Sequence, residues 1–174
     1  MIEVKDQILN YLPLIHKWHN EPRIGPKIGC TKPPDVQETA KLLMVWKKDP
    51  ARRVFMIEYK GSYIGYVSLS GINLECGFCD LHTIVGETKY LGKPVCVEVV
   101  DKILGIAFNE MKMFRVNTYV LGDNPALRKV AIKYGWKEEG IIRKLLLSRE
   151  GERIDCHLFG MLKNEFKPRR KKCQ

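Results

Sequence analysis

Asp80 and His82 stand two residues apart in the run Cys79-Asp80-Leu81-His82-Thr83-Ile84-Val85, so an extended chain turns both side chains to one face. A carboxylate and an imidazole, whose ordinary pKa is about 6.5, are residue types that take a proton near neutral pH. Both are candidate general bases. Directly after them, "TKYLGKPVCVEVVDKILGIAF" (Thr88 to Phe108) joins a short turn containing Gly92 to an amphipathic helix. A helix start gathers unpaired backbone N–H groups and the positive end of the helix dipole, which suits a phosphate. Lys89 and Lys93 add positive charge at the same place.

Other reactive side chains carry less chemistry. Cys96 opens the helix, where a thiol pKa can fall, and it reads as packing or loop lining. Cys76 and Cys79 form a C-x-x-C pair without a second pair at finger or ribbon spacing, so packing is expected and no metal is. The remaining cysteines, Cys30, Cys156 and Cys173, are scattered, which fits reduced thiols better than a disulfide framework. Asp155 and His157 form a second alternating acidic–imidazole pair near the end of the chain. His16 and His19 flank Trp18, and His16 reads as a polar residue on the outside of a helix.

The elements that must position these groups are marked by changes of period. Ile8, Leu9, Leu12, Ile15 and Trp18 recur near helical spacing; after the Pro- and Gly-rich loop Glu21 to Asp35, Asp35 caps a helix carrying Val36, Ala40, Leu43, Met44 and Trp46. Alternation then takes over in "RVFMIEYK" and "YIGYVSLSGI", separated by a turn at Gly61-Ser62, and in "CDLHTIVG". An apolar stripe from Val99 to Met111 predicts a helix, and Arg115 to Leu121 a strand. Asn124 as N-cap, Pro125 at the first helical position and Gly135 past the end bound a further helix, with Leu127, Val130, Ala131 and Tyr134 on one face. Strands over about Trp136 to Leu147 and Arg153 to Leu162, joined near Glu150-Gly151, complete an α+β domain with a mixed sheet.

Composition sets the outer bounds. A chain of 174 residues with 45% hydrophobic and 29% charged residues is the size and make-up of one soluble domain. No apolar run approaches the roughly 20 residues that cross a bilayer, and MIEVKDQILN carries acidic residues and no small-residue cleavage site, so no secretory signal, no membrane partner and a cytoplasmic location are expected. Residues 1–166 are expected to form the domain and 167–174 a basic, solvated tail that holds five of the positive charges. The net charge of +10 favours anionic partners. Without an aromatic-rich basic signature, nucleic acid is not an expected partner.

The segment "CDLHTIVGETKYLGKPVCVEVV" resembles motif A of the GNAT acyl-CoA N-acyltransferases, in which a strand runs into Q/R-x-x-G-x-G/A and a helix. "NPALRKVAIKYGWKEEG" is similar to the N-x-x-(S/A)-x-x-(V/L)-x-x-x-x-G-F-x-x-E-G segment of that superfamily, while "HKWHNEP" and "IIRKLLLSREGERIDCHLF" resemble parts of its RimJ/RimL-like branch. The resemblance implies a mostly antiparallel sheet, splayed between its fourth and fifth strands, with acetyl-CoA as co-substrate in the cleft and no metal. Backbone at Ile84, Val85 and Gly86 would pair with the pantetheine arm, and Ile84–Val85 would also supply the donor to the oxyanion. Amides of Leu91, Gly92, Lys93, Val95 and Cys96, beside Lys89, would hold the pyrophosphate. Asn124, with Arg128 or Lys129, would lie along the rest of CoA. Trp18 and Asp155 would face an amine acceptor, which the class takes from amino sugars, antibiotics, polyamines and protein N-termini, and a homodimer is compatible with it.

Three departures accompany the resemblance. Pro94 stands where the motif has Gly or Ala and lacks an N–H. Lys89 replaces Gln or Arg, and Ala131 stands where many relatives carry a Tyr that protonates the leaving thiolate. These departures leave open a second reading, a non-catalytic GNAT-like module that binds a polyanion such as RNA.

Overall fold

The structure, a computed structural model, describes residues 1–29, 31–122 and 124–168; Cys30, Asp123 and most of the expected tail, including Cys173, lie outside them. A two-residue strand β1 (Ile2–Glu3) opens the chain, followed by a 3-10 segment (Lys5–Tyr11), α1 (Leu12–Asn20) and α2 (Val36–Lys48). Three strands follow: β2 (Arg53–Tyr59), β3 (Ser62–Asn73) and β4 (Phe78–Val85). Then come α3 (Pro94–Gly105), β5 (Arg115–Leu121), α4 (Pro125–Tyr134), β6 (Lys137–Leu147) and β7 (Arg153–Leu162).

The seven strands form one α+β sheet in the order β1-β2-β3-β4-β5-β7-β6. Every neighbouring pair is antiparallel except β4–β5, and that pair is registered only from Phe78–Arg115 to Asp80–Asn117. Since β4 continues to Val85 and β5 to Leu121, the two strands part beyond those residues and the sheet is mixed, mostly antiparallel and splayed, as the resemblance implies.

Local chemistry explains most boundaries. Lys60 and Gly61 both have positive φ, 51° and 74°, the backbone of the tight turn that a right-twisted hairpin favours. Asp35 and Glu38 form a capping box: Asp35 Oδ1 accepts from the Glu38 N–H at 2.7 Å and Glu38 Oε2 from the Asp35 N–H at 2.9 Å. Asn124 accepts the Leu127 N–H at 3.2 Å, Pro125 begins α4, and Gly135 ends it at φ 110°.

The apolar run from Ile8 to Trp18 is not one helix. Pro13 cannot donate to a preceding carbonyl, so the α-helix begins beside it and the residues before fold as 3-10. The edge strand β1 was not expected either; it is held to β2 by Glu3, which accepts from Arg53 Nε at 2.7 Å.

Alternation along the strands builds two apolar layers. On one face Leu69, Cys79, Leu81, Val116 and Phe159 pack with Val99 and Ile103 of α3. On the other, Val54, Met56, Tyr66 and Ile84 pack with Ile15 and Trp18 of α1 and Leu43 of α2. Each such side chain contributes roughly 1.5–3 kcal/mol when fully buried. The stripe of α4 is only half used: Ala131 is buried, while Leu127 and Val130 are 45% and 54% exposed, because the helix turns Ala131 and Tyr134 to the core and the other two outward.

His19 lies inside the second layer, 3% exposed, with Nε2 2.7 Å from the Tyr66 hydroxyl. Burial pushes its pKa down to about 4, with His16 adding to the effect. A folded-state value below the unfolded one means stability that is complete above about pH 6.5 and is lost as pH falls toward 4, on the order of 3 kcal/mol in all. Thermal unfolding midpoints measured across this window should fall with pH, and His19→Gln should flatten the fall; an equally steep fall in that variant would rule His19 out as its source.

Candidate active site

Past the Asp80–Asn117 pair the Thr118 hydroxyl donates to the Leu81 carbonyl at 2.9 Å, closing the ladder. The next backbone groups of β4 alternate between its two neighbours. Gly86 N–H donates to the Ile64 carbonyl at 2.8 Å, so Gly86, Ile84 and His82 address β3, whereas Thr83 and Val85 address the side on which β5 has moved away. Of the expected stretch Ile84 to Gly86, only Val85 presents its backbone to the gap; Thr83, which sequence did not single out, is the other. The Thr83 side-chain oxygen is buried without a hydrogen-bond partner among the described residues.

Gly86 is required by the packing above it. A Cβ there would sit 2.2 Å from the indole of Trp18. Trp18 is fully buried, and its Nε1 donates to Glu87 Oε1 at 3.0 Å, where Lys17 Nζ also donates at 2.6 Å. These donors, Lys17 first, hold the Glu87 carboxyl below its usual range. Trp18, which the resemblance sets toward the acceptor, is buried here and wedges the end of β4 in place.

The following turn is partly closed on itself. The Leu91 N–H donates to Thr88, the Lys93 N–H to Tyr90 and the Cys96 N–H to Lys93, at 3.0–3.1 Å, so three of the expected phosphate donors are engaged within the turn. Pro94 has none to offer. Gly92, at φ 72°, and Val95 keep N–H groups with no backbone partner among the described residues. Lys89 and Lys93 are exposed beside them, and the Lys89 ammonium lies 5.1 Å from the centre of the Tyr90 ring. Cys96 donates to the Tyr90 carbonyl, and burial raises its thiol pKa despite the helix start. Cys79 is buried and pushed up to about 12, and Cys76 is exposed. Neither Cys79 nor Cys96 is a ready thiolate.

Asp80 and His82 do share a face, the one opposite α3, and β5 adds Arg115, Asn117 and Tyr119 to it. Asp80 Oδ1 accepts from Asn117 Nδ2 at 2.9 Å; Arg115 donates to Asn117 Oδ1 at 2.5 Å and to Glu139 of β6 at 2.9 Å. This chain crosses β7 above Gly160, where a Cβ would lie 2.5 Å from Glu139 Oε1 and 2.6 Å from Arg115 Nη2. His82 Nε2 lies 3.0 Å from Ser70 Oγ, and its ring is within 13° of parallel to that of Tyr119. Burial lowers the His82 pKa, against an upward pull from Asp80 and with a further push from Arg52, so the ring is neutral at pH 7. Burial and Asp80 raise the pKa of Tyr119, whose hydroxyl makes no hydrogen bond among the described residues. A neutral base, a carboxylate and a proton-bearing phenol thus line one face.

Asp155 does not join them. Its strand partners place it on the α3 and α4 side of the sheet, and its carboxylate accepts the N–H of Lys144, a bulge residue at φ 56°. There it lines an open cavity of about 450 Å³ with His157, Arg153 and Ser148. Glu138 ties α4 to the same strands, lying 2.6 Å from His157 Nδ1 and accepting from Arg128 Nε at 2.9 Å. Asn124 serves as a helix cap, and Lys129 is exposed on α4.

A family model described as an acetyltransferase (GNAT) domain matches residues 8–137, three-quarters of the chain, from α1 through the parted strands to α4. The chain belongs to the GNAT acetyltransferase domain family. A curated relative, the SPbeta prophage-derived uncharacterized N-acetyltransferase YokL of Bacillus subtilis (strain 168), is 29% identical over 115 residues. That match takes in 66% of this chain and 63% of YokL. Among solved structures, spermidine N-acetyltransferase from Vibrio cholerae in complex with CoA and spermine superposes with a TM-score of 0.79, over 90% of this chain and 92% of that one, at 21% identity. A mutant of Vibrio cholerae spermidine N-acetyltransferase SpeG gives 0.74 over 89% and 91%, also at 21% identity. At that identity the likeness is one of fold.

Gly160→Ala should lower the thermal midpoint of this GNAT domain by several degrees, a loss of about 1–3 kcal/mol, because the new methyl group displaces the Arg115–Glu139 pair. An unchanged midpoint would show that the chain across β7 does not need the space.

Proposed function

We propose that the protein is an acetyl-CoA-dependent N-acetyltransferase that passes the acetyl group directly from the thioester to a primary amine. The observation that carries this reading is the gap between β4 and β5, where the backbone of Thr83 and Val85 has lost its strand partner beside the face formed by Asp80, His82 and Tyr119. Within a GNAT domain these groups divide the reaction among them. An N–H from the open edge of β4 meets the thioester carbonyl and the negative charge that grows on it, the kind of donor worth about 10²–10³ in rate. The Asp80 carboxylate, steadied by Asn117, draws the amine in as its ammonium form; His82, held neutral by burial, takes one proton to free the nitrogen lone pair, and the second proton, shed by the nitrogen after attack, restores the phenol that protonates the thiolate. Tyr119 returns a proton to the departing thiolate, the role left empty by Ala131.

Acetyl-CoA fits the remaining features. The N–H groups of Gly92 and Val95, with Lys89 and Lys93, suit its pyrophosphate, and Arg128 and Lys129 lie along α4 for the adenosine end. The acceptor is a primary amine of the kind that the RimJ/RimL-like branch acetylates. The Vibrio cholerae relatives act on spermidine, and a carboxylate on the open face makes a polyamine the first acceptor to try.

Saturating acetyl-CoA should raise the thermal midpoint, since a ligand of the folded state alone stabilises it. Thiol release should then appear with at least one amine from a panel of spermidine, amino sugars, aminoglycosides and peptides. With that amine, His82→Gln and Tyr119→Phe should each cut kcat about 10²-fold while leaving KM for acetyl-CoA nearly unchanged. An unmoved midpoint together with silence across the panel would refute the acyltransferase reading.

A further inference from the structure

Only one buried side-chain oxygen or nitrogen among the described residues lacks a hydrogen-bond partner, and it is Thr83 Oγ1. Its position is as informative as its isolation. Thr83 is the third residue past the last β4–β5 pair, and its backbone already addresses the gap. Its side chain shares the α3 face of the sheet with Leu81 and Val67; on that face the Thr118 hydroxyl is engaged with Leu81, and Ser68 and Ser70 lie on the other face with His82. Folded chains rarely leave a buried hydroxyl unmatched, because doing so costs about 1–3 kcal/mol, so an unmatched one calls for an explanation. The pantetheine arm of an acyl-CoA carries amide carbonyls and ends in a thioester carbonyl, each an acceptor for a hydroxyl donor.

We propose that the Thr83 hydroxyl binds acyl-CoA by donating a hydrogen bond to a carbonyl of the pantetheine–thioester arm as it lies between β4 and β5. The inference rests on the N-acetyltransferase reading above and adds to it a side chain that the motif does not contain, since the rest of the expected binding stretch acts through its backbone. A β-branched side chain in a strand has few rotamers, so the donor is held ready rather than recruited.

Thr83→Val keeps the shape and removes the hydroxyl. Free of an unmatched polar atom, the unliganded variant should unfold at the same temperature or higher, yet bind acetyl-CoA about five- to twenty-fold more weakly by calorimetry. Thr83→Ser, which keeps the donor, should stay within about twofold of the original affinity. Loss with both CoA and acetyl-CoA assigns the contact to an amide carbonyl, and loss with acetyl-CoA alone to the thioester; either supports the proposal. A lower midpoint for unliganded Thr83→Val would mean that the hydroxyl already has a partner, and unchanged affinity for both ligands would mean that it has none in the complex; each overturns it. Should the unaltered protein bind neither CoA nor acetyl-CoA, the acyltransferase reading falls and takes this inference with it, an outcome distinct from binding that ignores the substitution.

Discussion

The structure depends on one pair of parallel strands that ceases to pair. Parallel neighbours cannot be joined by a hairpin, so β4 must leave the sheet, pass through α3 and return as β5. That crossover puts a helix start beside the very end of β4. The Thr118 hydroxyl caps the ladder at Leu81, and from there the strands diverge. The sheet does not come apart because the apolar layer under α3 is continuous across the break, with Leu81 on one side and Val116 and Phe159 on the other. A gap with unpaired backbone is therefore held open by a core that does not share it.

The two faces of β4 then take different work. α1 and α2 cover the first half of the sheet through Trp18, Leu43 and Ile84 and leave Asp80, His82, Asn117 and Tyr119 uncovered by the helical core. On that open face the environment drives two neighbouring rings apart in acidity: burial favours the unprotonated imidazole and the protonated phenol alike. Groups separated in this way can accept and supply protons at one pH. The Asp80 carboxylate beside them is aimed by Asn117 of β5, which Arg115 holds in turn, and Arg115 is itself anchored by donating to Glu139 of the edge strand β6.

Much of this was legible in the amino-acid order, for reasons of period and punctuation. Asp80 and His82 could be placed on one face because a strand repeats every two residues, and α4 could be bounded because Asn124, Pro125 and Gly135 are residues that begin and end helices. Asp155 could not be placed, since whether it shares a face with Asp80 depends on register across three strands and on the bulge at Lys144. Nor could Trp18: periodicity marks an apolar stripe but not which member is wedged against a glycine sixty-eight positions on. The turn before α3 was legible only in part, because a motif does not show which amides the turn itself engages, here those of Leu91, Lys93 and Cys96. Thr83 and Tyr119 gave no signal, as a missing partner is a property of the folded neighbourhood alone.

The wedge has one more effect. The Trp18 indole rests on Gly86 while Lys17 and Trp18 both hold Glu87, so the first helix is fastened directly to the end of β4 and the turn that follows it. A shift of the first helix would therefore carry the end of β4 and the start of the turn before α3 with it.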